Sequence, residues 1–205
     1  VFTSDPYVLM SSKPIRRLED MRNKKARVPG KAWVQITKDW GAVPLSMHLE
    51  ESYTALERGT LDVMHTTPCS SIGFRYYEPA PYVTLLNAPT VVGGMIMNKA
   101  FYDALPPDLK KQFDQELNPA LVQMIANSYD RTTSEALGKM REAFKAKGRG
   151  EIIELSNEER LKFVRPTARE WTAWVQEAKK RGYPGDEMMA AFKAIMSKHG
   201  LTAPF

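Results

Sequence analysis

The stretch from Lys25 to Ile72 constrains this chain most, because its apolar phrases and turn residues alternate in a strand, helix, strand, helix, strand rhythm. It opens Lys25-Ala26-Arg27-Val28-Pro29-Gly30 and closes Gly59-Thr60-Leu61-Asp62-Val63-Met64-His65-Thr66-Thr67-Pro68. Between them lie Gly41-Ala42-Val43-Pro44-Leu45-Ser46-Met47 and the helical phrase Glu51-Ser52-Tyr53-Thr54-Ala55-Leu56. This pattern predicts an open α/β sheet. Arg27 falls where the first of these strands runs out into a Pro-Gly turn, and open sheets of this kind bind ligands beyond the carboxyl ends of their strands. A guanidinium at that place offers a planar, permanently charged fork suited to a carboxylate.

Around this stretch the elements follow from local signals. Residues 1–15 read as extended chain, and Ile15, Leu18 and Met21 predict one or two helical turns before a strand at Ala26-Arg27-Val28. Trp33, Ile36 and Trp40 share one helical face from about Ala32, and Gly41 suits the end of that helix. A second helix runs from about Glu50, with Tyr53 and Leu56 facing inward, to Gly59. Leu61 to Thr66 reads as a strand and Ser70 to Tyr77 as a short helix. Two further strands are expected at Tyr82 to Leu86 and Gly94 to Met97, separated by a loop with Pro89 and Gly93. From Pro106 a charged helical stretch extends to about Lys147, with a kink or break at Pro119. A strand at Glu151 to Leu155, a capping box of Ser156 and Glu159, a second kink at Pro166 and a last helix capped by Asp186 complete the chain.

Composition excludes more than it selects. Among 205 residues, 43% are hydrophobic and 26% charged, and the net charge is +5. These are ordinary globular values. The basic residues between Lys13 and Arg27 are spaced as the exposed face of a short helix, so nucleic acid is not expected as a partner. No apolar run reaches membrane-span length, and no basic-then-apolar start resembles a signal peptide. The chain opens at Val1 without an initiator methionine, which reads as a processed product, an expressed portion or a fragment. A single cysteine, Cys69, excludes an intrachain disulfide.

Catalytic and metal chemistry find little support. His48, His65, Cys69 and His199 lack the paired spacing of a zinc site. Cys69 or Ser70 would need a histidine base, and nothing like Gly-x-Ser-x-Gly surrounds them. No glycine-rich phosphate loop is present. No enzyme activity, metal or cofactor is therefore expected. Trp33 reads as a packing residue, with a place in the same cleft as Arg27 as the open alternative.

Taken together, these phrases resemble the solute-binding proteins of TRAP transporters, the DctP family. The resemblance rests on Lys13-Pro14-Ile15 with Leu18-Glu19-Asp20-Met21, on Lys25-Ala26-Arg27-Val28-Pro29, and on Gly41-Ala42-x-Pro44. It continues with Glu51-x-Tyr53-x-Ala55-Leu56, Gly59-x-x-Asp62, Tyr76-Tyr77-Glu78 and Met97-Asn98-Lys99 before the long helix. It implies a two-lobed α/β fold of the periplasmic-binding-protein type (class II), represented here by its later part, with a long kinked helix linking the lobes. On that basis residues 1–88 form the ligand-binding lobe that carries Arg27, residues 89–130 cross to the other lobe, and residues 131–205 pack back on the first. A family member carries a signal peptide and a further α/β segment ahead of the matched region. Its absence is expected to leave apolar surface uncovered around Gly94 to Pro106.

The same resemblance implies a periplasmic receptor that binds a small organic anion and delivers it to the membrane permease subunits of a TRAP transporter. Arg27 takes the place of the arginine that grips the ligand carboxylate. Tyr7 stands near the place of a second arginine found in relatives that bind dicarboxylates or sialic acid. Thr66 takes the place of a ligand-contacting asparagine, with His65 beside it, and Leu49 that of a flanking aromatic. This set, Arg27, Thr66, Tyr7, Leu49, Trp33 and His65, predicts a monocarboxylate with an apolar or aromatic body.

Overall fold

The computed structural model describes residues 2–200, with the backbone alone described at residues 2–3 and 87–92. Six strands make one sheet: β1 (Phe2–Ser11), β2 (Lys25–Arg27), β3 (Val43–Leu45), β4 (Val63–Thr66), β5 (Tyr82–Gly93) and β6 (Glu151–Glu154), in the order β3-β2-β4-β1-β5-β6. β2 runs parallel to both β3 and β4, whereas β1 is antiparallel to β4 and β5. β6 then joins β5 in parallel.

Side chains alternate across the sheet and both faces are covered, which explains why β4 is buried at every position. On one face Leu9, Ala26, Val63 and Leu86 pack with Ile36 of α1 (Lys31–Asp39), with Trp40 at the C-cap of that helix and with Phe163 of α7 (Asn157–Val164). On the other, Val8, Met10, Met64 and Val83 meet Leu56 of α2 (Leu49–Glu57), Tyr76, and Met140 and Phe144 of α6 (Asn118–Lys147). The α1 and α2 helices end where glycine takes the left-handed backbone, Gly41 at φ +75° and Gly59 at φ +69°, as their C-terminal signals predict.

Between α2 and α6 lie three short helices, α3 (Pro68–Gly73), α4 (Lys99–Asp103) and α5 (Pro107–Gln112). A π turn at Phe113–Leu117 then leads into α6. It stands immediately before Pro119, where an irregularity is predicted. Pro119 has no N–H to offer the preceding turn, and a widened turn accommodates the unmatched carbonyls. Ser156 caps α7 as expected, its Oγ accepting from the Glu159 N–H at 3.2 Å, but the Glu159 carboxylate accepts from the Leu18 N–H and Lys162 rather than closing the box.

Three expectations are corrected. The strand expected at Tyr82 to Leu86 runs on through the expected loop to Gly93 as β5, and Gly94 to Met97 forms no strand. Pairing with β1 carries it through: Phe2 stands opposite Gly93, and the register slips between the pairs Val8–Leu85 and Pro6–Thr90. Pro89 falls within that slip and needs no ladder partner. The helix expected from Ser70 to Tyr77 is the shorter α3, which ends before Arg75 at φ +59°. Asp186 does not cap the last helix. Pro184 occupies the cap of α9 (Gly185–Lys198), and Asp186, in its first turn, pairs with Lys179 of α8 (Thr167–Lys180).

Apolar side chains stand exposed near α4: Met95 is 47% accessible, Ile96 99%, Met97 42% and Phe101 61%. This is the region where the resemblance predicts uncovered apolar surface.

Candidate functional site

The site is built at the carboxyl ends of β2 and β4. Arg27 is the last residue of β2, paired with Leu45 of β3 on one side and Met64 of β4 on the other. Its half-buried guanidinium donates from Nε to the Met47 carbonyl at 3.4 Å and from Nη1 to the His65 carbonyl at 3.3 Å. Both are long bonds to neutral acceptors. Among the described residues no carboxylate pairs with it. Burial pulls its pKa below the usual arginine value, opposed by the nearby Tyr76 and Tyr7 hydroxyls. A cation held partly out of water without a counter-ion is unfavourable, so the arrangement suits an anion supplied from outside.

Arg27 opens on a cavity of about 600 Å³, within the usual range for small-molecule sites. Ser4, Asp5 and Tyr7 of β1 line it, with Pro29 after β2 and Leu49 at the start of α2. His65, Thr66, Thr67, Cys69 and Ser70 come from the β4–α3 junction, and Tyr129 comes from α6. Tyr76 fixes Leu49 in place: its hydroxyl donates to the Leu49 carbonyl at 2.6 Å. Burial pushes that phenol up to about 12, against the lowering effect of Arg27, so it stays a donor. Thr67 caps α3, its Oγ1 accepting from the Ser70 N–H at 3.3 Å.

Of the six residues the sequence singles out, Arg27, Tyr7, Leu49, Thr66 and His65 line this cavity and Trp33 does not. Trp33 stands behind Tyr7, with ring centroids 5.6 Å apart, and edge-on to His65 at 5.0 Å. His65 reaches the site through its carbonyl. Its ring is fully buried, stacks on Trp40 at 5.2 Å and 9°, and among the described residues has no hydrogen-bond partner on either nitrogen. Burial, then the charge of Arg27, lowers its pKa to about 3, so the imidazole is neutral.

Ser4, Asp5, Pro29, Thr67 and Tyr129 are lining residues to which the sequence assigns no site role, and Cys69 and Ser70 enter the sequence analysis only as nucleophile candidates. Asp5 carried a signal, since an acid beside a proline inside an apolar strand is unusual. Tyr129 carried none, because only the packing of α6 against β1 and α3 brings it there. Among the described residues no group of acidic, histidine or cysteine side chains is arranged to hold a metal. No helix there is long and apolar enough to cross a membrane.

Residues 3–177 match the sequence profile of the bacterial extracellular solute-binding proteins, family 7, known as DctP. The chain belongs to this family. The DctP chain is similar to the C4-dicarboxylate-binding periplasmic protein DctP of Rhodobacter capsulatus, at 27% identity over 161 residues, which is 78% of this chain and 47% of the relative. It thus spans about half the length of that relative. Its fold matches the periplasmic ectoine-binding protein of the TeaABC TRAP transporter of Halomonas elongata, with a TM-score of 0.80 at 22% identity over 96% of this chain and 62% of the other. A TRAP periplasmic solute-binding protein of Bordetella bronchiseptica, described with bound (R)- and (S)-mandelate, gives a TM-score of 0.74 at 20% identity, again over 96% and 62%. The mixed α/β architecture is therefore that of the TRAP periplasmic binding proteins.

Proposed function

We propose that this chain is the ligand-gripping portion of a periplasmic solute receptor that captures a small organic acid for a TRAP-type membrane permease. The observation that carries the reading is Arg27, a half-buried guanidinium facing the cavity with two long carbonyl contacts among the described residues. A carboxylate there completes a charge-assisted, two-point hydrogen-bonded pair worth roughly 1.5–3 kcal/mol net. Micromolar affinity needs about 8 kcal/mol in all, so burial of the ligand's body supplies the remainder. Tyr7, Leu49, Pro29 and Tyr129 offer apolar or aromatic surface for that body, and Thr66 a small polar one. A monocarboxylate with an apolar or aromatic portion fits this set, and the Bordetella protein is described with such a molecule, mandelate, bound.

In this reading residues 1–88 carry the grip, residues 89–130 lead to an opposing lobe, and residues 131–205 pack back on the first. Ligand bridging the lobes favours the closed state through its differential affinity. Catalysis at Cys69 is disfavoured. Burial pushes its thiol pKa up and Asp5 adds to the rise, while its hydrogen bond to Thr132 only partly offsets this. A nucleophilic cysteine needs the opposite shift.

A thermal-shift screen of small carboxylates on the protein and on Arg27→Ala tests the reading. Ligand at about 100 times its dissociation constant adds roughly 2.7 kcal/mol of stability, and Arg27→Ala is expected to abolish that gain. A gain that survives the substitution, or no gain with any acid, refutes it.

A further inference from the structure

Asp5 shares the cavity with Arg27 and carries the opposite charge. It is only 3% exposed. Among the described residues no cation pairs with it, and its carboxylate is served by Cys69, whose backbone N–H donates to Oδ2 at 2.9 Å and whose thiol also hydrogen-bonds to it. An ionised carboxylate has about four acceptor positions, so part of its capacity is open. The backbone explains how an acid comes to line the site. The β1 register slips on both sides of Pro6, and such bulges re-aim the flanking side chains, here Asp5 and Tyr7. The Tyr7 hydroxyl feels both charges: Arg27 lowers its pKa and Asp5 raises it, on top of the rise caused by burial.

We propose that Asp5 is a second ligand anchor, and that the cavity takes a small carboxylate that also bears a cationic nitrogen, its carboxylate on Arg27 and its ammonium or amidinium on Asp5. This rests on the reading of Arg27 as the carboxylate grip. The argument is charge balance. The lining brings one guanidinium and one carboxylate, and the His65 imidazole, buried against Trp33 and Trp40, is neutral. A simple carboxylate satisfies Arg27 but brings a second anion toward a buried Asp5, where like charges repel most strongly. A zwitterion pairs both protein charges and leaves none buried alone.

A purely structural role for Asp5, holding the Cys69 N–H at the start of α3, is separable from this one. Asp5→Asn keeps an acceptor oxygen for that N–H and removes the charge.

The test is calorimetric titration of the intact, full-length protein at pH 7 with matched triplets that carry hydrogen, hydroxyl or ammonium on one skeleton. Propanoate, lactate and alanine form one triplet; phenylacetate, mandelate and phenylglycine a second; butanoate, 4-hydroxybutanoate and 4-aminobutanoate a third. In the best-binding triplet the ammonium member is expected to bind at least about tenfold tighter than the hydrogen member. Asp5→Asn should erase most of that ratio, and Arg27→Ala should abolish binding of all three. If the hydrogen or hydroxyl member binds as tightly as the ammonium member, or a folded Asp5→Asn keeps the ratio, the second anchor is refuted while the Arg27 grip stands. If no triplet binds, or binding ignores Arg27→Ala, the grip and the anchor fall together. Should Asp5→Asn fail to fold in a melting experiment, the ranking in the unaltered protein decides.

Discussion

Acidification should weaken this fold through one side chain in particular, His65. Its ring is fully buried between Trp33 and Trp40, and burial followed by the charge of Arg27 lowers its pKa from 6.5 to about 3. Above pH 6.5 the imidazole is neutral in both the folded and unfolded chain, and nothing is lost. Between 6.5 and about 3 the unfolded chain binds a proton that the folded chain refuses, so stability falls as the pH falls. Each pH unit in that window costs about 1.36 kcal/mol. At pH 4.5, two units into the window, the His65 contribution is a loss of about 2.7 kcal/mol. That figure needs only a folded pKa below 4.5, so it does not depend on how far below.

The measurement is urea unfolding at pH 7.5, 5.5 and 4.5 for the protein and for His65→Phe, which keeps an aromatic ring in the stack and removes the titration. Carboxylates whose pKa is lowered in the folded chain, such as Glu78 beside Arg75 and Glu159 beside Lys162, contribute equally to both proteins and cancel in the difference. The stability gap between the two should move by about 2.7 kcal/mol in favour of the variant on going from pH 7.5 to 4.5. Parallel pH profiles would refute the buried neutral imidazole.

Two packing predictions follow. At Gly150, φ is +114° and an added Cβ would lie 2.5 Å from Phe144 Cδ1 and 2.8 Å from the Pro81 carbonyl, so Gly150→Ala should cost about 2–4 kcal/mol in urea unfolding. In Trp40→Phe the indole N–H that donates to the Phe163 carbonyl at 3.0 Å is lost inside the core, at about 1–3 kcal/mol. A lowered melting temperature with no change in carboxylate affinity is the expected signature there.

Much of the local structure was legible because its causes are local. Glycines at 41 and 59 end helices through a backbone conformation that other residues avoid. Ser156 caps α7 with its own hydroxyl, and Pro119 marks the irregular turn because its missing N–H acts within one turn of itself. Where the sequence reading failed, the deciding contact was distant. Pairing with β1, some eighty residues earlier in the chain, carries β5 through Pro89. The cap of α9 moved to Pro184 while Asp186 found Lys179.

The site divides the same way. The strand–turn pattern of Lys25 to Gly30 was enough to place Arg27 at a strand end, because a strand followed by Pro-Gly locates its own terminus. What Arg27 faces was decided by tertiary structure. The β1 bulge carries Asp5 into the lining, the crossing of α6 brings Tyr129, and the alternation of β4 turns the His65 ring away toward Trp40 while its carbonyl meets Arg27. Periodicity in a sequence reports which side of an element is apolar. Which distant charge lies across a cavity depends on how the sheet pairs and how the long helix crosses it, and no local pattern encodes that.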